Sequence, residues 1–468
     1  MVELPYDIWL HIASVTDAAT IRSLYSLNRA FFHISMKAKY KAVCVASPPG
    51  LYTRDLDPFK RVTTSFHEFA GNLTSREIFR DPGVAHHVQT LCILSGSFRV
   101  PARSHPISVH KNKKTYNVLK SLWKLAPGFG RTETPPVTLY KIPFHLISAM
   151  NAIREMHVET RYWGVNTPFV VQLFGAALQT SQMMLTSLDI KVQLTQIEEV
   201  IPPHLKLPSL RNFTVQIEYG ADHRSPMAHT GEIMSRRLLP FIDAHRRTLV
   251  SFGLNSLDDG NLSSLLQRLP YMPFLHTLNL MQGGEGWGWV PAAMETLYSK
   301  YSTVLTTYQS QLRHLSLEMT PMRPGYINLT SFFQMTWCRV PLPNLESLTL
   351  VLPSQGLLND TSTLGSYLQQ HTSSLAALTI RECALTPQQL ESVLVVFRIS
   401  DHLQNLELEV RMLKPDTFTA IATSLPNLDY LKLIFVELSR EDYDLEPTIL
   451  IFPPPTGNPD DSDWALVS

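Results

Sequence analysis

The pattern aliphatic-x-x-aliphatic-x-aliphatic recurs along most of this chain. Its all-leucine form stands at Leu275/Leu278/Leu280, Leu312/Leu315/Leu317, Leu345/Leu348/Leu350, Leu403/Leu406/Leu408 and Leu428/Leu431/Leu433. Chance would supply roughly one such triplet at this leucine content, so five mark repetition. Looser copies stand at Leu185/Leu188/Ile190, Leu210/Phe213/Val215, Leu249/Phe252/Leu254 and Leu375/Leu378/Ile380, and the weakest are Ile153/Met156/Val158 and Val88/Leu91/Ile93. Leucines two apart share one face of a strand, so each triplet predicts a short strand with a buried side. Helix-start signals lie between triplets. Thr386-Pro387 precedes Leu390, Val393, Leu394 and Phe397, and Pro291 precedes Met294, Leu297, Tyr298, Tyr301, Val304 and Leu305. From Leu185 to Leu428 successive units start 25 to 39 residues apart. The expected class is α/β: strand-helix units stacked into an irregular solenoid, narrow strands inside and bulkier helices outside, around a continuous leucine core.

The residues between the leucines then face outward from the strands. They include His276, Thr277, Asn279, Arg313, His314, Ser316, Glu346, Ser347, Thr349, Gln404, Asn405, Glu407, Asp429, Tyr430 and Lys432. A polar and aromatic lining of this kind suits a protein-binding surface. Arg313, His314, Glu346, Asn405, Asp429, Tyr430 and Lys432 are the candidate target-binding residues on the expected concave face.

Residues 1–45 read differently. Leu4-Pro5 opens a helix with Ile8 and Ile12 one turn apart and Trp9 beside them. Asp17 is a candidate N-cap for a second helix bearing Ile21, Leu24, Leu27 and Phe31, and Phe32, Met36 and Tyr40 carry the period into a third. Three helices this short bury little surface, so a partner is expected to cover their apolar face. The alternative is a helical cap on the repeat array.

Leu4-Pro5-x-x-Ile8-x-x-x-Ile12, followed by Asp17, Leu24, Leu27, Arg29 and Phe32, resembles an F-box in the form common in fungal proteins. Asn28 stands where that family often has Cys, and the loop from Ile12 to Ile21 is shorter than usual. The triplets resemble leucine-rich repeats, and Leu375-x-x-Leu378-x-Ile380-x-x-Cys383-x-Leu385 matches the longer consensus of that family. Together they resemble an F-box protein with divergent leucine-rich repeats. The resemblance implies a substrate-recognition adaptor of a Skp–cullin–F-box ubiquitin ligase. In that family the Leu-Pro pair and following aliphatic residues dock on the Skp-type linker, which brings the cullin; here Leu4, Pro5, Ile8, Ile12, Leu24 and Leu27 would do so. The repeat face would bind a protein target, and no cofactor, metal or catalytic residue is implied.

Charge and composition narrow the remaining classes. Forty Lys plus Arg balance forty Asp plus Glu in 468 residues, so no global charge draws the chain to nucleic acid or anionic lipid. Locally, residues 99–145 hold nine basic side chains and one acid, Glu133. That segment suits an acidic or phosphorylated ligand, nucleic acid, or simple solvation. From Glu437 onward eight acids oppose Arg440, and Phe452-Pro453-Pro454-Pro455 marks the expected end of folded structure. Gly283-Gly284-Glu285-Gly286-Trp287-Gly288-Trp289 fits no phosphate-binding fingerprint and reads as a ligand-gripping or plugging loop. Cys44, Cys92, Cys338 and Cys383 lack short spacings, which excludes a disulfide framework or zinc module and fits a reducing compartment. The N-terminal residues do not read as a signal peptide, and the sequence shows no membrane-length apolar run and neither His-Glu-x-x-His nor Gly-x-Ser-x-Gly; His86-His87 reads as a surface pair.

The expected organisation is a helical F-box at 1–45, a helical connector at 46–84, a leucine-rich solenoid at 85–452 with the basic insert, and a disordered Pro-rich acidic tail at 453–468. The expected location is the cytoplasm or nucleus. Two other functions fit: a repeat scaffold for protein partners with no ligase role, and a nucleic-acid-associated factor using the basic insert.

Overall fold

The computed structural model describes residues 5–16, 20, 30, 32–34, 41–45, 85–94, 150–159, 167–202, 205–218, 228–256, 262–284, 291–321, 333–352, 361–398, 400–438, 448–452 and 466–467. The basic insert, the whole of the expected connector and every residue named for the second expected helix lie outside these residues. The chain forms two compact units, Met1–Leu185 and Thr186–Ser468.

In the first unit, α1 spans Tyr6–Ser14 with Pro5 at its N-cap. Three parallel strands follow, β1 (Ala42–Val45), β2 (Thr90–Leu94) and β3 (Glu155–Glu159), in register Ala42↔Thr90 and Thr90↔Glu155. The two weakest triplets are therefore real strands: Val88, Leu91, Ile93, Ile153, Met156 and Val158 are all buried. β1 corrects the all-helical reading of residues 1–45. Ala42-Val43-Cys44-Val45 is rich in β-branched residues that favour a pleated strand. α2 (Thr167–Ser181) closes this unit.

The second unit is a strand-connection-strand repeat. Nine parallel strands run in sequence order: β4 (Ser187–Gln193), β5 (Asn212–Glu218), β6 (Ser251–Ser256), β7 (Thr277–Gly284), β8 (His314–Pro321), β9 (Ser347–Val351), β10 (Ala377–Leu385), β11 (Asn405–Leu413) and β12 (Tyr430–Leu438). Each pairs only with its neighbours in sequence, as stacked repeats require. Every triplet lands in register. Leu278, Leu315, Leu348, Leu378, Leu406 and Leu431 form one row, and Leu280, Leu317, Leu350, Ile380, Leu408 and Leu433 the next. Apart from Leu431 at the end of its row, all are buried. Burial of a leucine contributes about 1.5–3 kcal/mol, so these rows hold the stack together.

The connections alternate in kind. Helices lead into β6, β8 and β10: α4 (Ala228–His245), α6 (Pro291–Tyr308) and α7 (Thr361–Gln369). Tight connections lead into β5, β7 and β9, built from α3 (Ile197–Val200), α5 (Ser263–Gln267) and a 3-10 turn at Thr336–Arg339. α8 (Pro387–Phe397) follows β10, and α9 (Pro415–Ser424) follows β11. α8 starts where Thr386-Pro387 predicts. Thr386 Oγ1 accepts from Gln389 N at 3.4 Å, Gln389 Oε1 accepts from Thr386 N at 2.7 Å, and Leu390, Val393, Leu394 and Phe397 are buried.

β12 continues antiparallel to β13 (Thr448–Phe452), which pairs with β14 (Leu466–Val467). β14 lies within the segment expected to lack structure; it is formed from the apolar end of the tail. Gly283 and Gly284 extend β7 beside Thr320 and Pro321, while residues 285–289 of the Gly/Trp loop lie outside the described residues. Among the described residues no helix is long and apolar enough to cross a membrane, and no group of three or more His, Cys, Asp or Glu could hold a metal.

Candidate protein-binding face

Alternation along the nine strands turns one set of side chains into the leucine core and the other to solvent. The outward set forms three rows across the sheet. The first runs Ser187, Asn212, Ser251, Thr277, His314, Ser347, Ala377, Asn405, Tyr430; the second runs Asp189, Thr214, Gly253, Asn279, Ser316, Thr349, Thr379, Glu407, Lys432. The third runs Glu318, Val351 and Arg381, with Val351 buried, and resumes at Glu409 and Ile434 beyond the register break between β10 and β11. From β5 to β10 the second row is small and neutral. Gly253 is the extreme case, because a Cβ there would stand 2.8 Å from both Thr214 Cγ2 and Thr214 Oγ1.

The face gains charge at its C-terminal end. Glu407 accepts two hydrogen bonds from Arg381, Nε at 2.7 Å and Nη2 at 2.9 Å, and a third from Lys432 Nζ at 2.9 Å. The Glu407 side chain is only 12% exposed. Its burial alone would raise its pKa, but the Arg381 and Lys432 hydrogen bonds outweigh that and hold it below the usual carboxylate range. The bond to Glu407 in turn holds Arg381 charged. Beside them β10 bulges. Glu382 takes φ 57° and its N–H donates to Glu409 Oε2 at 2.6 Å. The result is a preorganised patch of fixed charge carried on strands rather than loops.

The seven residues singled out from sequence fall into two groups. Arg313, His314 and Glu346 lie at the start of β8 and β9, where Arg313 Nη1 meets Glu346 Oε1 at 3.1 Å and both side chains are about half exposed. Asn405, Asp429, Tyr430 and Lys432 lie on or beside β11 and β12: Asn405 faces Tyr430 in register, and Asp429 N–H donates to Gln404 O at 2.8 Å. β10 separates the two groups. Arg381 and Glu409 are the residues the sequence reading missed. Each follows the last aliphatic residue of its triplet, so continued alternation past Ile380 and Leu408 is the signal that finds them.

Of the residues expected to meet a linker, Pro5, Ile8 and Ile12 are described, and Leu4, Leu24 and Leu27 are not. On α1, Ile8 and Leu10 are 43% and 44% exposed, while Ile12 is partly buried. His86 stays at the surface, its Nδ1 2.9 Å from Asn151 Oδ1.

No family model matches this chain. No curated protein matches its sequence. Among solved structures, the chain is similar to the yeast structure described as "Crystal structure of Rad7 and Elc1 complex in yeast", at 12% identity and a TM-score of 0.39, over 92% of this chain and 93% of that one.

Proposed function

We propose that this protein is a target-recognition adaptor of a Skp–cullin–F-box ubiquitin ligase. On this reading α1 docks the Skp-type linker, and the outward face of the repeat strands holds a protein target. The observation that carries the target-binding half is the strand face itself: nine parallel strands present aligned polar rows that end in the Arg381–Glu407–Lys432 patch. A multi-row polar surface carried on strands suits a protein partner better than a small molecule, which needs a concave apolar pocket. The linker half is supported by the Leu4-Pro5-x-x-Ile8 resemblance and by Ile8 and Leu10, large apolar side chains left exposed on one short helix.

The mechanism is proximity. Joining linker site and target site in one chain raises the effective concentration of the target near the ubiquitin-loaded enzyme. The protein is then a non-catalytic subunit, working in the cytoplasm or nucleus. Co-expression with a Skp-type linker followed by size-exclusion chromatography tests this. The wild-type chain co-elutes with the linker, and Ile8→Asp abolishes co-elution without changing the thermal unfolding midpoint of the repeat unit. A folded wild-type chain that never co-elutes defeats the adaptor reading and leaves a repeat scaffold for protein partners.

A further inference from the structure

Four turns of the form x-Pro-x-Leu introduce strands: Leu207-Pro208-Ser209-Leu210 before β5, Met272-Pro273-Phe274-Leu275 before β7, Leu342-Pro343-Asn344-Leu345 before β9 and Leu425-Pro426-Asn427-Leu428 before β12. In the last two, the Asn reaches back to the connection that ends at the previous strand. Asn344 Nδ2 donates to Ser310 O at 2.7 Å, and Asn427 Nδ2 to Asp401 Oδ1 at 3.4 Å. Ser310 and Asp401 both stand two residues before the first leucine of their triplets, Leu312 and Leu403. The corresponding residue ahead of Leu249 is Arg247, and the turn that follows it places Phe274 where the last two turns have Asn. Phenylalanine cannot make that bond. The junction stays open as a groove of about 740 Å³ across the leading edges of β4 to β7.

The groove carries charge of one sign. Arg211, Arg247 and His276 line it, and no carboxylate does. Among the described residues neither guanidinium is paired with an acid, although neighbouring Arg246 is bound to Asp243 at 3.2 Å. The matching edge at β8–β9 closes on itself through Arg313 and Glu346. Phe274, 54% exposed, and Pro208 supply an apolar wall beside the two arginines.

The walls are held before any ligand arrives. His245 Nδ1–H donates to Phe241 O at 2.7 Å and its Nε2 accepts from Leu207 N–H at 2.8 Å, tying the end of α4 to the turn that bears Pro208. Lateral backbone bonds fix the leading edges: Arg211 N to Thr186 O, Val250 N to Arg211 O and His276 N to Val250 O, each at 2.8 Å. A preformed groove loses little conformational entropy on binding.

We propose that this groove binds an acidic peptide segment, its anionic oxygens on Arg211 and Arg247 and an adjacent apolar side chain on Phe274. The inference rests on the reading of the protein as a binder of protein targets and adds a second contact site to the strand face. Two guanidiniums beside an apolar wall suit the mixed chemistry of a peptide. Single-stranded nucleic acid would call for a basic track with several stacking aromatics, and the groove offers one.

Fluorescence anisotropy on the full chain tests the inference, with a labelled Glu-rich peptide containing one Phe as probe. A phosphothreonine version, a Lys-for-Glu version and an oligo-dT strand run beside it. The Glu-rich peptide binds, affinity falls with salt, and the Lys version does not bind. Arg211→Ala/Arg247→Ala raises Kd about tenfold to a hundredfold through loss of two charge-assisted contacts, with partial rescue by Lys at both positions. Tighter binding of the phosphothreonine version supports the site and assigns the anion to phosphate. Equal affinity of wild type and double Ala variant overturns the proposal, as does absence of binding by folded wild type. Oligo-dT binding as tight as the peptide's, and lost in the same variant, overturns the peptide assignment. Because the linker complex is measured separately, loss of either result leaves the other standing.

Discussion

His371 should make the repeat unit acid-labile. It stands at the end of the α7 connection into β10, fully buried, with its ring 5.1 Å from and nearly perpendicular to that of Tyr367. Neither ring nitrogen has a partner at hydrogen-bond geometry, nor has the Tyr367 hydroxyl. Burial pushes its pKa from 6.5 down to about 4, the Leu342 backbone opposing. The unfolded chain therefore binds the proton more tightly than the folded one between these values, and stability falls as pH drops through that window. Integrating one proton with pKa values of about 6.5 and 4 gives a loss of about 2 kcal/mol from pH 7 to pH 5. His371→Leu removes the titrating group at similar volume and deletes two unsatisfied nitrogens, so stability at pH 7 should hold or rise. Urea unfolding at the two pH values, followed by circular dichroism, gives the comparison. The wild-type loss should exceed that of the variant by about 2 kcal/mol. His245, also buried and lowered in pKa, stays in both proteins and cancels. Equal pH dependence in the two proteins would refute the argument.

Other outcomes follow from named contacts. Glu407→Gln removes the charge that holds Arg381 and Lys432, and should cost about 1–3 kcal/mol in urea unfolding; the cost should shrink as pH falls, because the lowered carboxylate contributes only while ionised. Thr386→Ala deletes one half of the capping box at α8 and should cost about 1 kcal/mol by the same assay. Gly253→Ala drives a Cβ against Thr214 and should cost about 1–3 kcal/mol, most of it recovered in the Thr214→Ala/Gly253→Ala double variant.

The repeats were legible because burial on a strand leaves a period in the sequence. Even Val88/Leu91/Ile93 and Ile153/Met156/Val158, indistinguishable from accident as isolated triplets, became buried strands once aligned with the rest. β1 was not legible: Ala42–Val45 is a short run with no triplet and follows directly on a helical period. The Arg381–Glu407–Lys432 patch was half legible. Lys432 and Glu407 sit inside triplets, but Arg381 lies beyond its own, and its partner is set by the pairing register of β10 and β11. The groove at Phe274 leaves no motif at all. It comes from the one turn whose residue cannot make a bond found at two others, and it appears only when the turns are laid over one another in space.

The most direct test of the account is hydrogen exchange on the full chain, free and bound to a Skp-type linker. The account predicts slowed exchange in residues 5–16 on α1, with amides of β8 to β12 unchanged and so left open for a target. Protection on β8 to β12 with α1 unaffected would contradict it, because the strand face would then be the linker site and could not serve as the target site.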